Sequence, residues 1–164
     1  MQATLVGVAV LAVLPLTPAS AAPAVKTQQL PFGHWVRFGV GAQGTYDFQG
    51  VFTFQSDGPV RLRVSDGFCR GDRFGVLDHG HPLFQTSDVP VDQTCLEQPF
   101  ATTGSEAWHD SGYSRGSTRL GPGRHRIRLR SILSPFGGST GWLEVLAQPL
   151  ISGTARTSTS PEAG

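Results

Sequence analysis

The run of residues 46–55, YDFQGVFTFQ, has the clearest pattern in the chain, because aromatic and polar side chains alternate along most of it. Its four aromatic residues all fall at even-numbered positions. Successive side chains of a β-strand point to opposite faces of the sheet, so this spacing predicts a strand with one buried, aromatic face. Together with a phenylalanine further along the chain, these aromatic residues supply the expected core: Phe48, Phe52, Phe54 and Phe74.

Shorter runs with the same alternation lie on both sides of this segment. The 21 glycines and 12 prolines interrupt the chain too often for long helices, and no segment carries a helical stripe. Residues 85–120 have little periodicity and are expected to form long connections with one short strand. The sequence therefore predicts an all-β fold in which two antiparallel sheets pack as a β-sandwich of jelly-roll type, with further strands at 35–40, 60–65, 73–76, 124–130 and 142–147.

The charge balance argues against a partner recognised by the whole surface. The chain has 13 basic and 12 acidic residues among 164, a net charge of +1. A protein that binds nucleic acid or a membrane surface through its overall field carries a much larger excess of basic residues. We therefore expect no nucleic-acid partner, and any electrostatic function is expected to be local.

Residues 1–21 have the pattern of a signal peptide. An apolar run at 5–14 is followed by two prolines and by Ala19-Ser20-Ala21, which predicts cleavage after Ala21 and secretion to the extracellular space. The apolar run is too short to span a bilayer, so no membrane insertion is expected. The predicted divisions are a signal peptide (1–21), an N-terminal extension (22–30), the sandwich domain (31–150) and a disordered tail (151–164).

Cys69 and Cys95 are the two cysteines of the chain. An exported protein meets an oxidising compartment, where such a pair forms a disulfide. We therefore predict that one disulfide bond closes the loop between these residues.

Residues 66–80, DGFCRGDRFGVLDHG, resemble a run found in uncharacterised secreted proteins of fungi and in bacterial proteins that carry the PEP-CTERM sorting signal. Residues 120–127 and 134–138 agree with the same set. The spacing from Cys69 to Asp78 also resembles the core of CUB domains, so the resemblance implies a CUB-like layout of the sandwich.

The likeness to CUB domains also implies a metal site. In many CUB domains the aspartate that matches Asp72 helps to bind calcium, which implies a site of hard oxygen ligands made by Asp72 with Asp66 or Asp110. The alternative is that Asp66 and Asp78 are turn residues bonded to nearby amides and that Asp72 pairs with Arg70 or Arg73. On that alternative the chain needs no cofactor.

A stripe of four arginines marks residues 124–130. Alternation places them on one face of one strand, where their planar guanidinium groups suit the sulfate, phosphate or carboxylate groups of a polyanion. Arg61 and Arg63 extend the stripe if the strands adjoin. The alternative is a solvated outer face with Glu144 or aspartates across the sheet. The candidate ligand-binding residues are Arg124, Arg126, Arg128 and Arg130.

Trp108 and Tyr113 lie in the least regular stretch of the sequence. Aromatic rings exposed on a loop stack on sugar rings, so these two residues are a second candidate ligand site, for a carbohydrate. The alternative is that Trp108 caps one end of the core.

Other short motifs carry weaker signals. Arg70-Gly71-Asp72 matches the integrin-recognition tripeptide, and His79 and His81 have the spacing of two metal ligands on one strand face. Each is more simply explained by structural or solvated residues.

Residues 109–114 contain the residue types of a hydrolase triad. His109 and Asp110 stand near Ser111 and Ser114, but no nucleophile elbow or other catalytic frame surrounds them. We predict a secreted, non-enzymatic protein that binds an extracellular carbohydrate or anionic polymer. A structural or protein-interaction module at the cell surface is the alternative, and a secreted hydrolase is the second.

Overall fold

Nine strands form two sheets within residues 25–95 and 100–149, which are the residues that this computed structural model describes. The five-stranded sheet has the order β1 (Thr27–Gln29), β3 (Val51–Ser56), β8 (Gly123–Leu133), β5 (Arg73–Asp78) and β6 (His81–Gln85). The four-stranded sheet has the order β2 (Val36–Val40), β9 (Ser139–Ala147), β4 (Val60–Asp66) and β7 (Arg115–Leu120). Neighbouring strands are antiparallel except β1 and β3, which are parallel.

The core lies between the inner faces of the two sheets. The ring of Phe38 on β2 meets the ring of Phe74 on β5 edge to face, with 5.0 Å between their centroids. Aliphatic side chains from β4, β8 and β9 fill the space around them, as the alternation predicted. The all-β sandwich fold is confirmed, and its largest fully buried side chains include Phe38, Phe52, Phe54, Phe74, Leu62, Ile127, Leu129 and Leu143.

The prediction that Phe48 is a core residue is wrong, since 71% of Phe48 is exposed. Strand β3 begins only at Val51, because Gly50 has a φ of +93° and closes a turn that the Asp47 carboxylate caps by accepting the Gly50 amide at 2.7 Å. Because of that turn, the odd-numbered Asp47 faces inward before Gly50, whereas the even-numbered Phe52 and Phe54 face inward after it. Asp47 is buried and Phe48 points to solvent.

A short helix lies within the stretch predicted to be irregular. Helix α1 (Gly104–His109) starts at Thr103, whose hydroxyl accepts the amide of Glu106, and six residues are too few to show a helical stripe in the sequence. The helix packs against β4 and β9 of the four-stranded sheet. In the described part of the chain, no helix has the length and apolar character needed to cross a membrane.

The segment predicted as an N-terminal extension contributes to the sandwich. Strand β1 pairs with β3, and Leu30 is buried in the core. The predicted signal peptide (1–21), the tail (151–164) and the predicted domain end at residue 150 lie outside the described residues.

The disulfide between Cys69 and Cys95 is present, with 5.1 Å between the Cα atoms, which confirms the predicted pairing. It holds the segment before residue 95 against the β4–β5 connection. Gly71, with a φ of +113°, belongs to the same contact, because a Cβ at this position would lie 2.8 Å from the Cα of Val91. Only glycine fits at this approach without displacing the backbone.

Candidate anion-binding face

The four predicted arginines lie on the outer face of β8, near the middle of the five-stranded sheet. His125, Ile127 and Leu129 alternate with them and are buried. Arg124, Arg126 and Arg130 are exposed, and Arg128 is half-buried. The four arginines therefore share the outward face of β8, as the alternation of the sequence indicates.

Two of these arginines line a groove of about 450 Å³. The pairing of β3 with β8 sets Gln55 opposite Arg124 and Thr53 opposite Arg126. Strand β1, which pairs with the other side of β3, forms the edge of the groove. In the described chain, neither arginine forms an ion pair. We call this feature the arginine groove, and its polar lining consists of Thr27, Gln29, Thr53, Gln55, Arg124 and Arg126.

The other two arginines make contacts with the turn before β3. The Arg128 guanidinium lies 4.0 Å from the centre of the Tyr46 ring, and Arg130 Nε donates to the carbonyl of Gly44 at 3.2 Å. Arg126 and Arg128 also line a second, smaller groove of about 240 Å³ beside His79. Arg126 therefore belongs to both grooves and joins them along the strand.

Asp78, at the end of β5, supports the start of β8. Its Oδ2 lies 2.7 Å from His125 Nδ1, and its Oδ1 accepts the backbone amide of Arg126 at 2.8 Å. The imidazole of His125 stacks on Phe54, with 4.7 Å between the centroids. Partial burial alone would raise the pKa of Asp78, but the bonds from His125 and the Arg126 amide outweigh it and hold the pKa below its usual value.

These contacts give Asp78 a pH-dependent part in stability. Because its pKa is lower in the folded chain, its stabilisation is present above the unfolded value of 3.8 and is lost as the pH falls through the folded value. We expect Asp78→Asn to lower the free energy of unfolding at pH 7 by about 2 kcal/mol, with the difference from the wild type shrinking below pH 3.8. Urea unfolding at several pH values measures it. Asp57→Asn, at an exposed turn, serves as control, and a difference that does not shrink as the pH falls below 3.8 would argue against this role.

The second candidate site, at Trp108 and Tyr113, is not an exposed aromatic surface. Tyr113 is buried beside Ala107, and its hydroxyl oxygen accepts the Ala101 amide at 3.0 Å. The prediction that Tyr113 is available to stack on a sugar is therefore wrong.

Trp108 is half-buried on the outer face of the four-stranded sheet, where its ring lies 6.0 Å from that of Trp35. The Arg63 guanidinium lies 5.0 Å from both ring centres and forms an ion pair with Glu144. Trp108 thus covers this outer face and does not cap the core. Because β4 belongs to the four-stranded sheet, Arg61 and Arg63 do not extend the stripe on β8.

The structure separates Asp110 from the other two aspartates predicted to bind metal. Asp66 and Asp72 are fully buried and close enough to interact electrostatically, whereas Asp110 forms a 2.7 Å ion pair with Arg70. Over residues 25–95 and 100–149, no three His, Cys, Asp or Glu side chains come together to hold a metal ion. Burial of Asp72 and the bond of Arg70 to Asp110 also leave the Arg-Gly-Asp tripeptide unable to present both of its charged side chains.

The residues of the suggested hydrolase triad have other partners. His109 Nδ1 lies 2.7 Å from the Ser105 carbonyl, Asp110 is held by Arg70, and Ser114 Oγ lies 3.0 Å from Thr86 Oγ1 in the interior. These side chains do not form a triad.

His79 and His81 flank the β5–β6 turn. His79 has a φ of 50°, and its Nε2 lies 3.0 Å from the carbonyl of Arg124. His81 is exposed at the start of β6.

Sequence reasoning found the arginines of the groove but not the side chains that face them. Thr27 and Gln29 lie on a three-residue strand, too short for alternation to identify. A turn residue is what the sequence around Asp78 suggests, and no local signal places its side chain beside His125.

No family model and no curated protein sequence matches the chain. Among solved structures, the chain is similar to the pre-peptidase C-terminal domain of a collagenase from Bacillus anthracis, at 12% identity and a TM-score of 0.40, covering 76% of this chain and 98% of that one. It is also similar to a β-1,3-glucan-binding CBM6 from Bacillus halodurans, at 14% identity and a TM-score of 0.38, covering 76% of this chain and 100% of that one. Similarity at this level carries no argument about the ligand of this chain.

Proposed function

We propose that this chain is a secreted, non-enzymatic binding protein that holds an acidic polysaccharide, or another anionic polymer, in the arginine groove. The observation that carries the proposal is the pair of exposed guanidinium groups of Arg124 and Arg126, which have no acidic partner among the described residues. Guanidinium groups bind carboxylate and sulfate groups through two parallel hydrogen bonds, which supports an anionic ligand.

The shape of the surface favours a polymer over a small anion. The groove is open and continues past Arg126 into the second groove beside Arg128. Alternate residues of a strand stand roughly 6.6 Å apart, so successive arginines match charges repeated along an extended chain. The amide groups of Gln29 and Gln55 and the hydroxyl groups of Thr27 and Thr53 are suited to bind sugar hydroxyls between those charges.

The test is titration calorimetry of the oxidised protein with a sulfated, a carboxylated and a neutral polysaccharide. We expect binding to the anionic polymers that weakens as the ionic strength rises from about 0.01 M to about 0.15 M. The double variant Arg124→Gln/Arg126→Gln should bind at least about tenfold more weakly, because each lost charge-assisted hydrogen bond is worth roughly 1.5 to 3 kcal/mol.

A matched control separates the groove from net charge. Arg61 and Arg119 are exposed, face each other across β4 and β7, and lie on the other sheet. Arg61→Gln/Arg119→Gln removes the same two charges and should leave binding nearly unchanged. Equal losses in the two double variants, or no binding of any anionic polymer, would overturn the proposal. Salt-insensitive binding to the neutral polymer would point to another surface.

A further inference from the structure

A histidine occupies the turn between β5 and β6. Asp78 pairs with His81 across this hairpin, so its two central residues are His79 and Gly80. Both have a positive φ, 50° at His79 and 86° at Gly80, as a type I′ turn requires. In the described part of the chain, His79 is the only residue other than glycine with a positive φ. Asparagine or aspartate before glycine is the usual pair for this turn, so the turn itself does not explain the histidine.

The second groove on the outer face of the five-stranded sheet is lined by His79 together with Arg126 and Arg128. The His79 side chain is about half exposed. Over residues 25–95 and 100–149, neither arginine forms an ion pair with an acidic side chain. The groove is therefore positively charged and suited to an anionic group of the proposed polymer.

One ring nitrogen of His79 has a fixed role. Its Nε2 lies 3.0 Å from the carbonyl oxygen of Arg124. Because a carbonyl oxygen only accepts hydrogen bonds, Nε2 carries the hydrogen in the neutral ring. The neutral ring then has a lone pair at Nδ1, which repels an anion, whereas the charged ring has an N–H there, which donates to one. Whether His79 helps to hold an anion therefore depends on a single proton.

The charges around His79 come from β5, β6 and β8. Asp78 Oδ1 lies 3.7 Å from His79 Nε2, while the same carboxylate accepts the Arg126 amide and bonds to His125. His81 is exposed at the start of β6. By charge alone, Asp78 favours the charged imidazole and the two arginines of the groove oppose it. An anion in the groove offsets the arginines, so anion binding and proton uptake at His79 favour each other.

We propose that His79 binds the anionic polymer as a cation in the second groove, beside Arg126 and Arg128, and that binding takes up a proton. The inference rests on the proposed function and adds a pH-dependent subsite to it. Imidazole ordinarily gains or loses its proton between about pH 5 and pH 8. Binding of the polymer should therefore strengthen as the pH falls through this range.

The test is titration calorimetry of the oxidised protein with dextran sulfate at about pH 5.5 and about pH 8, at one ionic strength. The sulfate groups keep their charge over this range, so the ligand itself does not titrate. We expect the affinity to be about tenfold higher at the lower pH, because one charge-assisted hydrogen bond is gained. Binding enthalpies measured near neutral pH in two buffers of different ionisation enthalpy should show a net uptake of protons.

Two variants of His79 separate the charge from the ring. His79→Asn removes the titrating group and gives the turn an Asn-Gly pair, so the fold should be retained. Its affinity should match that of the wild type at the higher pH and lose most of the rise at the lower pH. His79→Lys carries a positive charge at both pH values and should bind at the higher pH nearly as tightly as the wild type does at the lower one.

His81→Asn is the matched control, because His81 is exposed in the same hairpin but does not line the groove, and it should keep the wild-type pH dependence. If His79→Asn does not fold, as judged by near-UV circular dichroism, His79→Lys and the proton uptake of the wild type test the same residue.

The outcomes distinguish this inference from the proposed function. Binding by the wild type that does not change with pH would overturn the role of His79 and leave the polymer site in place. A pH dependence that persists in folded His79→Asn, or that is lost equally in His81→Asn, would do the same. No binding of dextran sulfate at either pH would overturn the proposed function and this inference with it.

Discussion

Replacing Phe74 with alanine is expected to lower the free energy of unfolding by about 3 to 5 kcal/mol. Phe74 has no exposed surface and meets Phe38 across the space between the two sheets. The neighbouring backbone belongs to paired strands, which limits how far the structure can collapse into the cavity. Loss of transfer free energy and the remaining cavity therefore add together. Chemical denaturation followed by tryptophan fluorescence measures the change.

Phe48→Ala is the matched comparison, because both phenylalanines are expected core residues on sequence grounds alone. Since 71% of Phe48 is exposed, its replacement should change the free energy of unfolding by no more than about 0.5 kcal/mol. Similar losses for the two variants would show that the turn before β3 is not arranged as described.

Removing the disulfide is expected to have an effect nearly as large. The bond closes a loop with a sequence separation of 26, for which the chain-entropy model gives a loss of about 3 to 4 kcal/mol in the Cys69→Ser/Cys95→Ser variant. The bond also keeps the segment around Val91 against Gly71 and the Asp92 amide on the Arg70 carbonyl. Urea unfolding of the variant and of the oxidised wild type compares their midpoints.

Reductant provides the internal control for the disulfide. It should lower the unfolding midpoint of the wild-type protein toward that of the double serine variant and leave the variant unchanged. A wild-type midpoint that does not respond to reductant after full reduction, shown by thiol titration, would contradict the expected contribution.

The regular part of the fold was predictable because alternation is a local property of the pleated strand. Residues 36–40, 60–64 and 125–129 show it directly, and each of these segments is a strand with its apolar side inward. The prediction failed at Phe48 because the turn at Gly50 separates two alternating runs, although the aromatic residues of both runs fall at even-numbered positions. It also missed α1, because a six-residue helix stabilised by its cap and by packing leaves no periodic signal.

The candidate sites were predictable to the same limited extent. The arginine stripe lies within one strand, so its common face follows from the sequence. Arg124 and Arg126 line a groove, whereas Arg128 and Arg130 contact a turn. This difference depends on β1, β3 and the turn before β3. Asp110 and Asp66 looked equally suited to join Asp72, yet only Asp66 is buried beside it.

The sequence by itself determined six of the nine strand segments, the inward side of most of them, the disulfide and the face of the arginines, because these depend on neighbours in the chain and on the number of cysteines. Only the tertiary structure decided which strands lie side by side. It brought Thr27 and Gln29 to the arginines, buried Tyr113 beside Ala107 of α1, and buried Asp66 and Asp72 while Asp110 pairs with Arg70. Contacts of this kind join residues far apart in the chain, and their free energy depends on burial and strand order, which no local pattern encodes.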